Sequence, residues 1–310
     1  QLQSSAASDV YKRQIMTKIL RYFEPKFSWL ALPFAAVFFI FFVIPLFLTI
    51  IVSFWDYNDY SIIPDLIFDN YVYIFEGCFR LETELCMTFK TYISTLYFCF
   101  ITWLVTLVLG FFVAYFLAFY VTSTPVQIAL FLICTIPFWT SNVIRMVSWI
   151  PLLGRHGLVN DVLIQIGLIK EPVEWFLYSE FSVILALVHL YTLFMIVPIF
   201  NSMMRIDRSI IEGAYDAGAN EIQILSNIII PLCKPGIVIG SIFVITVVMG
   251  DFITIGIMGG QQLASIGKVI NTEMNYLQLP GAAANAVILL LITIIIIITM
   301  TKFIDIRKEL

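Results

Sequence analysis

Arg205-Ile206-Asp207-Arg208-Ser209-Ile210-Ile211-Glu212-Gly213-Ala214-Tyr215-Asp216-Ala217-Gly218, continuing through Ile228-Ile229-Ile230-Pro231 to Pro235-Gly236, is a polar island between two long apolar runs. Ile210, Ile211, Ala214 and Ala217 recur at helical spacing and give a short helix a small apolar face. Glycine costs about 1 kcal/mol in a helix interior, so Gly218 marks a break between two short helices. Pro231 is expected to stop the second of these, and Pro235-Gly236 to open the next apolar run. A compact helix with a hinge and small residues suits a groove on a separate soluble partner.

The runs on either side decide what the island is embedded in. Of 310 residues, 61% are hydrophobic and only 12% charged, with a net charge of −4. A soluble domain would need far more polar surface. The apolar residues form stretches of bilayer length, about 20 residues each. Six spans are expected: Trp29 to Phe54, Tyr92 to Phe119, Val126 to Ile150, Phe181 to Met203, Gly236 to Met258 and Ala284 to Phe303. Each should be helical, because hydrocarbon offers the backbone no other partner. Ile294 to Ile298, an unbroken apolar row, suits a lipid-facing surface.

With six alternating spans, Lys18, Arg21, Lys26, Arg205, Arg208, Lys234, Lys302, Arg307 and Lys308 share one side. Only Arg80, Lys90, Arg155, Lys170 and Lys268 fall on the other, so both termini are expected in the cytoplasm. The loop from Trp55 to Lys90 then faces outward with Asp56, Asp59, Asp65, Asp69, Glu76, Glu82 and Glu84. It is either a solvated surface or part of a docking surface. Cys78 and Cys86 in this loop could bridge in an oxidising compartment. A second outer loop, Pro151 to Glu180, carries Leu158, Leu163, Ile164 and Leu168, which reads as a short amphipathic surface helix. Residues 1–15 are polar, and the natural start is expected at Met16. The first apolar run is too long for a cleavable signal and has no small-residue cleavage site after it.

The inner island resembles the cytoplasmic signature loop of permease subunits of binding-protein-dependent ABC importers. The pattern is EAA, three residues, G, nine residues, then I-x-L-P; here it is Glu212-Gly213-Ala214, Gly218, Ile228 and Ile230-Pro231. The spacing matches, with Gly213 in place of Ala and Ile230 in place of Leu. Pro137-Phe138-Trp139-Thr140-Ser141, Ile144-Arg145, Trp149 and Leu153-Gly154-Arg155-His156-Gly157 are similar to the spermidine/putrescine permeases and their opine and phosphonate relatives. Met203-Met204-Arg205-Ile206-Asp207 and Gly250-Asp251-Phe252-Ile253 continue the likeness in order, and His156 stands where that family commonly has Asn.

The resemblance implies an all-α, six-span, MetI-like type I permease in a bacterial cytoplasmic membrane. It implies an N-terminal segment (1–28), a first span with its acidic outer loop (29–90), a permease domain (91–305) with its coupling loop at 205–235, and a tail (306–310). Glu212, Gly213, Ala214, Gly218, Ile228 and Pro231 would form the loop that docks on an ATPase dimer. A second permease subunit, an extracytoplasmic solute-binding protein and membrane lipid are the other implied partners. ATP would be bound by the ATPase subunits, leaving this chain without a cofactor.

An ionisable group at membrane depth is a functional candidate by default. Asp251 is the clearest, and it either meets a cationic solute or pairs with Arg145. Trp139 could add a cation–π contact of roughly 0.5–2 kcal/mol, and Asn142 lies three residues before Arg145 on its helix. His189 reads as a hydrogen-bonded helix contact. No GxxxxGK[ST] phosphate loop, H-E-x-x-H or G-x-S-x-G stretch is present, and no Cys/His cluster suggests a metal. An enzyme and a nucleic-acid binder are thereby disfavoured, and no internal repeat supports a secondary transporter.

Overall fold

The computed structural model describes residues 31–58, 61–76, 78 and 86–302. The expectations for residues 1–28 and 306–310, for Trp29 and Phe303, and for Asp59, Arg80, Glu82, Glu84, Arg307 and Lys308 lie outside the described residues. The described chain is mostly helical, as lipid requires of a spanning backbone. A two-residue antiparallel ladder, β1 (Asp56–Tyr57) with β2 (Ile62–Ile63), is its one departure from an all-α chain.

Five described helices are long and apolar enough to cross a membrane. They are α1 (Ala31–Val52), α3 (Met87–Tyr120), α7 (Glu180–Met203), α9 (Glu221–Met249) and α12 (Leu279–Thr301). The short α2 (Asp69–Ile74) lies in the loop after α1. Helix α7 is the centre: Val183, Ala186, Leu187, Met195 and Ile199 are fully buried, and α3 and α9 pack against it. Helix α1 buries none of its central window and rests at the edge, against α12.

Three expectations change. The third span is two helices, α4 (Thr124–Trp139) and α5 (Asn142–Leu153), which runs on into the outer-loop helix α6 (Leu158–Gln165); the bend is 91°. Pro137 tightens the end of α4 into a 3₁₀ turn, and Thr140 and Ser141 are extended. The Thr140 hydroxyl donates to the Pro137 carbonyl (2.9 Å), so side-chain chemistry replaces the lost ladder.

The fifth span, expected over Gly236 to Met258, starts instead at Glu221 and ends at Met249. Pro231 therefore does not stop a helix, and the second short helix of the inner loop is the start of α9. A π turn at Leu225–Ile229 explains this. Its wider ladder moves the carbonyl that the Pro231 ring would strike and asks no N–H of residue 231. At the other end, Gly250 to Phe252 leave the helix, and α10 (Ile253–Met258) begins anew. The chain then forms α11 (Ile266–Asn275) before α12.

The two loops expected to face outward are folded. Buried Asn70 donates to the carbonyls of Ser53 (3.0 Å) and Trp55 (2.8 Å), fastening the acidic loop to the end of α1. Asn160 on α6 donates to Gly154 and Val173 (both 3.0 Å) and accepts from the Val173 amide (2.8 Å). Cys78 and Cys86 are joined in a disulfide, with Cα atoms 4.8 Å apart.

Helices α7 and α9 meet at backbone distance where glycine permits it. A Cβ on Gly236 would lie 2.4 Å from the Pro198 carbonyl oxygen. Gly236→Val should therefore destabilise the purified chain by about 1–3 kcal/mol, as over-packing does. Gly213→Ala, where an added Cβ meets nothing within 4 Å, should instead stabilise by up to about 1 kcal/mol. Thermal melts of both variants in one detergent check the opposite signs.

Candidate functional site

The segment around Glu212 folds as a short separate helix, α8 (Arg208–Asp216), with well-formed ends. Asp207 caps it, its carboxylate accepting from the Ser209 amide (3.0 Å). That bond holds the Asp207 pKa below its ordinary value, so the exposed cap stays ionised at neutral pH. At the other end the Gly218 amide donates to Tyr215 (2.9 Å) and the Ala219 amide to Ala214 (3.0 Å). These are the paired bonds of a Schellman turn, which requires positive φ at its pivot. Gly218 has φ +84°. Asn220 then opens α9 with a capping box, its side chain and Gln223 exchanging bonds of 2.9 Å.

The faces of α8 are divided. Ile211 and Ala214 pack against the bundle core, together with Ala219. Ile210 and Tyr215 are exposed, as are Glu212, Gly213 and Gly218. The apolar face is thus narrower than the spacing suggested, since Ile210 and Ala217 point away from the core. Of the six loop residues, Glu212, Gly213 and Gly218 face outward, Ala214 faces the bundle, Ile228 is half-buried, and Pro231 lies within α9.

The second candidate site lies where spans are broken. Asp251 is buried (8% exposed) in the gap between α9 and α10. Its carboxylate accepts three hydrogen bonds: from the Tyr191 hydroxyl (2.5 Å), the Thr254 hydroxyl (2.7 Å) and the Thr254 amide (2.8 Å). Hence it both anchors the break to α7 and satisfies a free amide at the start of α10. Arg145 on α5 donates through Nη2 to Asn142 (2.5 Å), while its buried Nε and Nη1 have no partner. Among the described residues Asp251 and Arg145 make no direct ion pair. Trp139, at the bend, is 83% exposed.

Tyr191 joins this site although nothing in the sequence marked it. Sixty residues separate it from Asp251, and a tyrosine in an apolar run carries no local signal of its partner. His189, two residues before Tyr191 on α7, accepts from the Trp149 indole N–H at 3.2 Å. That bond fixes Nδ1 as the acceptor.

No family model matches the chain. It is 33% identical over 205 residues to the spermidine/putrescine transport system permease protein PotB of Escherichia coli K12, covering 66% of this chain and 74% of that one. The Haemophilus influenzae protein of the same name is 37% identical over 144 residues, 46% of this chain and 50% of its own. The inner membrane ABC transporter permease protein YdcU of Escherichia coli is 27% identical over 190 residues, 57% and 59% of the two chains. In fold, the chain is similar to a chain of a bacterial alginate ABC transporter solved with an alginate-bound periplasmic protein. The TM-score is 0.69 at 18% identity, over 92% of this chain and 95% of that one.

Tyr191→Phe should remove one of the three donors to buried Asp251 and cost about 1–3 kcal/mol. Combined with Thr254→Val the loss should be non-additive, since both variants strip one carboxylate. A double-mutant cycle of melting temperatures measures that coupling.

Proposed function

The chain belongs to the family of spermidine/putrescine transport system permeases, membrane subunits of ABC importers, and on that premise we propose that it forms one half of a translocation pathway driven by a separate ATPase dimer. The observation that carries the coupling role is helix α8, held to the bundle by Ile211 and Ala214 with Glu212 and Gly213 turned outward. A helix half-set into its own bundle can pass on a push that a loose loop would dissipate. The loop 205–235 lies on the cytoplasmic side in this reading, with both termini. The pathway runs between this chain and a second permease subunit, and a solute-binding protein delivers cargo at the outer face.

The solute proposed is a small organic cation such as spermidine or putrescine. Asp251 contributes negative potential through its bond to Tyr191, and exposed Trp139 offers a cation–π surface. Asn142 and Arg145 border the same break. Rocking of the two permeases about this midplane region would alternate access. A second reading, a permease for an opine, phosphonate or amino-acid-like solute, draws on one observation. Arg145 has donors with no acceptor, which an anionic group would fill.

Gly218→Asp tests the coupling role, because a side chain at φ +84° strains the Schellman turn and adds charge beside it. In the assembled transporter this variant should lose solute uptake while the chain remains in the membrane. Uptake at the wild-type rate would overturn the role. Asp251→Asn and Arg145→Gln then separate the solute classes: the first should weaken uptake of cations, the second uptake of anions.

A further inference from the structure

A half-buried acid lies outside both sites. Glu273, on α11, sits half-buried against the start of α12, where the Asn285 side-chain amide donates to both of its carboxylate oxygens at 3.0 Å. Asn285 is only 3% exposed, and its side-chain oxygen is buried with no donor. The Tyr92 hydroxyl, from α3, reaches the Asn285 main-chain carbonyl at a long 3.4 Å. The described residues give Glu273 no ion pair. Its pKa is pushed above the ordinary value by burial, partly offset by the Asn285 amide.

The arrangement is a carboxylate without an ion-pair partner among the described residues, next to a buried amide oxygen without a donor, with the Tyr92 phenol at the Asn285 main chain. A buried charge needs a partner, and an orphaned acceptor costs about 1–3 kcal/mol. One group meets both demands: an ammonium, with positive charge and three N–H donors. The set holds one carboxylate and otherwise neutral oxygens, too little charge for a divalent ion. Among the described residues no three His, Cys, Asp or Glu side chains gather here or elsewhere. A Cβ on Gly281 would stand 3.9 Å from the nearer Glu273 oxygen, at ordinary contact distance, so a methyl-sized group fits beside the carboxylate.

We propose that Glu273, Asn285 and Tyr92 form a site for the primary ammonium group of an organic cation, at the end of the bundle where α3 and α12 begin. By the orientation above this is the outer face, so the site would meet a cationic solute after release from its binding protein. That purpose rests on the polyamine reading; the site itself does not.

The test uses the chain assembled with its companion permease and ATPases in nanodiscs. Thermal shifts are recorded with butylamine and putrescine, and with butanol and 1,4-butanediol as uncharged isosteres. The amines should stabilise wild type and the alcohols should not. Glu273→Gln should weaken the amine response about tenfold or more, as loss of a charge-assisted contact implies. Gly281→Lys, which tethers an ammonium beside the carboxylate, should abolish the response; it also stands in if Glu273→Gln does not assemble. An equal response to amines and alcohols, or an unchanged response in either variant, would overturn the site. So would a protonated-carboxyl infrared band at neutral pH that vanishes in Glu273→Gln, for a proton would then be the counter-ion. Polyamine uptake into proteoliposomes is read in parallel. Wild type that binds amines through Glu273 but accumulates no polyamine sinks the polyamine reading alone. Normal uptake with an unchanged amine response in Glu273→Gln sinks the site alone.

Discussion

A backbone amide in hydrocarbon has no water to turn to, and leaving one unpaired costs roughly several kcal/mol. Every interruption of a spanning helix must therefore be repaired by a nearby side chain or carbonyl. The two breaks beside the candidate pathway show the repair directly. At Thr140 a hydroxyl answers the carbonyl of Pro137. At Asp251 a carboxylate takes the amide and hydroxyl of Thr254 and reaches across to Tyr191. The polar residues at membrane depth are thus, first of all, what makes non-helical backbone tolerable there. Any role toward solute is built on groups already needed for structure.

The same solvent shapes packing. Lipid tails solvate apolar side chains as well as a neighbouring helix does, so association relies on close fit. Gly110, Gly236 and Gly240 let α3 and α9 approach α7 around Met195 and Pro198, at distances where no Cβ would fit without movement. The inner bundle is therefore stiff where α7 and α9 touch, while α1 remains peripheral with its central window unburied.

Much of this was legible in the residues. Uninterrupted apolar runs located five spans to within a few residues or, for α9, at least their core. Gly218 was read as a hinge because helix energetics leave glycine few other uses there, and its positive φ agrees. The outer helix Leu158–Gln165 followed from its spacing. The failures share a cause. Hydropathy counts residues and is blind to direction, so Pro137 marks a kink inside the Val126 to Ile150 run but not the 91° size of the bend. Proline was weighed by its usual penalty, and the π turn that cancels it depends on ladder geometry rather than composition. Tyr191 with Asp251, and Glu273 with Asn285 and Tyr92, are long-range pairings that local pattern cannot reveal.

The corrected course of α9 alters how work could travel. Had Pro231 ended a helix, the loop proposed to couple would connect to the fifth span through a joint, and motion would be lost in bending. Instead α9 is unbroken from Glu221 to Met249, a rod about 40 Å long at 1.5 Å per residue. One end is fixed to α8 through the Asn220 capping box and the Gly218 turn. The other stops one residue before Gly250-Asp251, where the carboxylate is tied to α7. A displacement of α8 thus has a stiff route to the Asp251–Tyr191 junction. The ladder along that rod is already loosened near its α8 end, at the π turn and at Pro235, which has no N–H to give, so strain should gather there before it reaches the break.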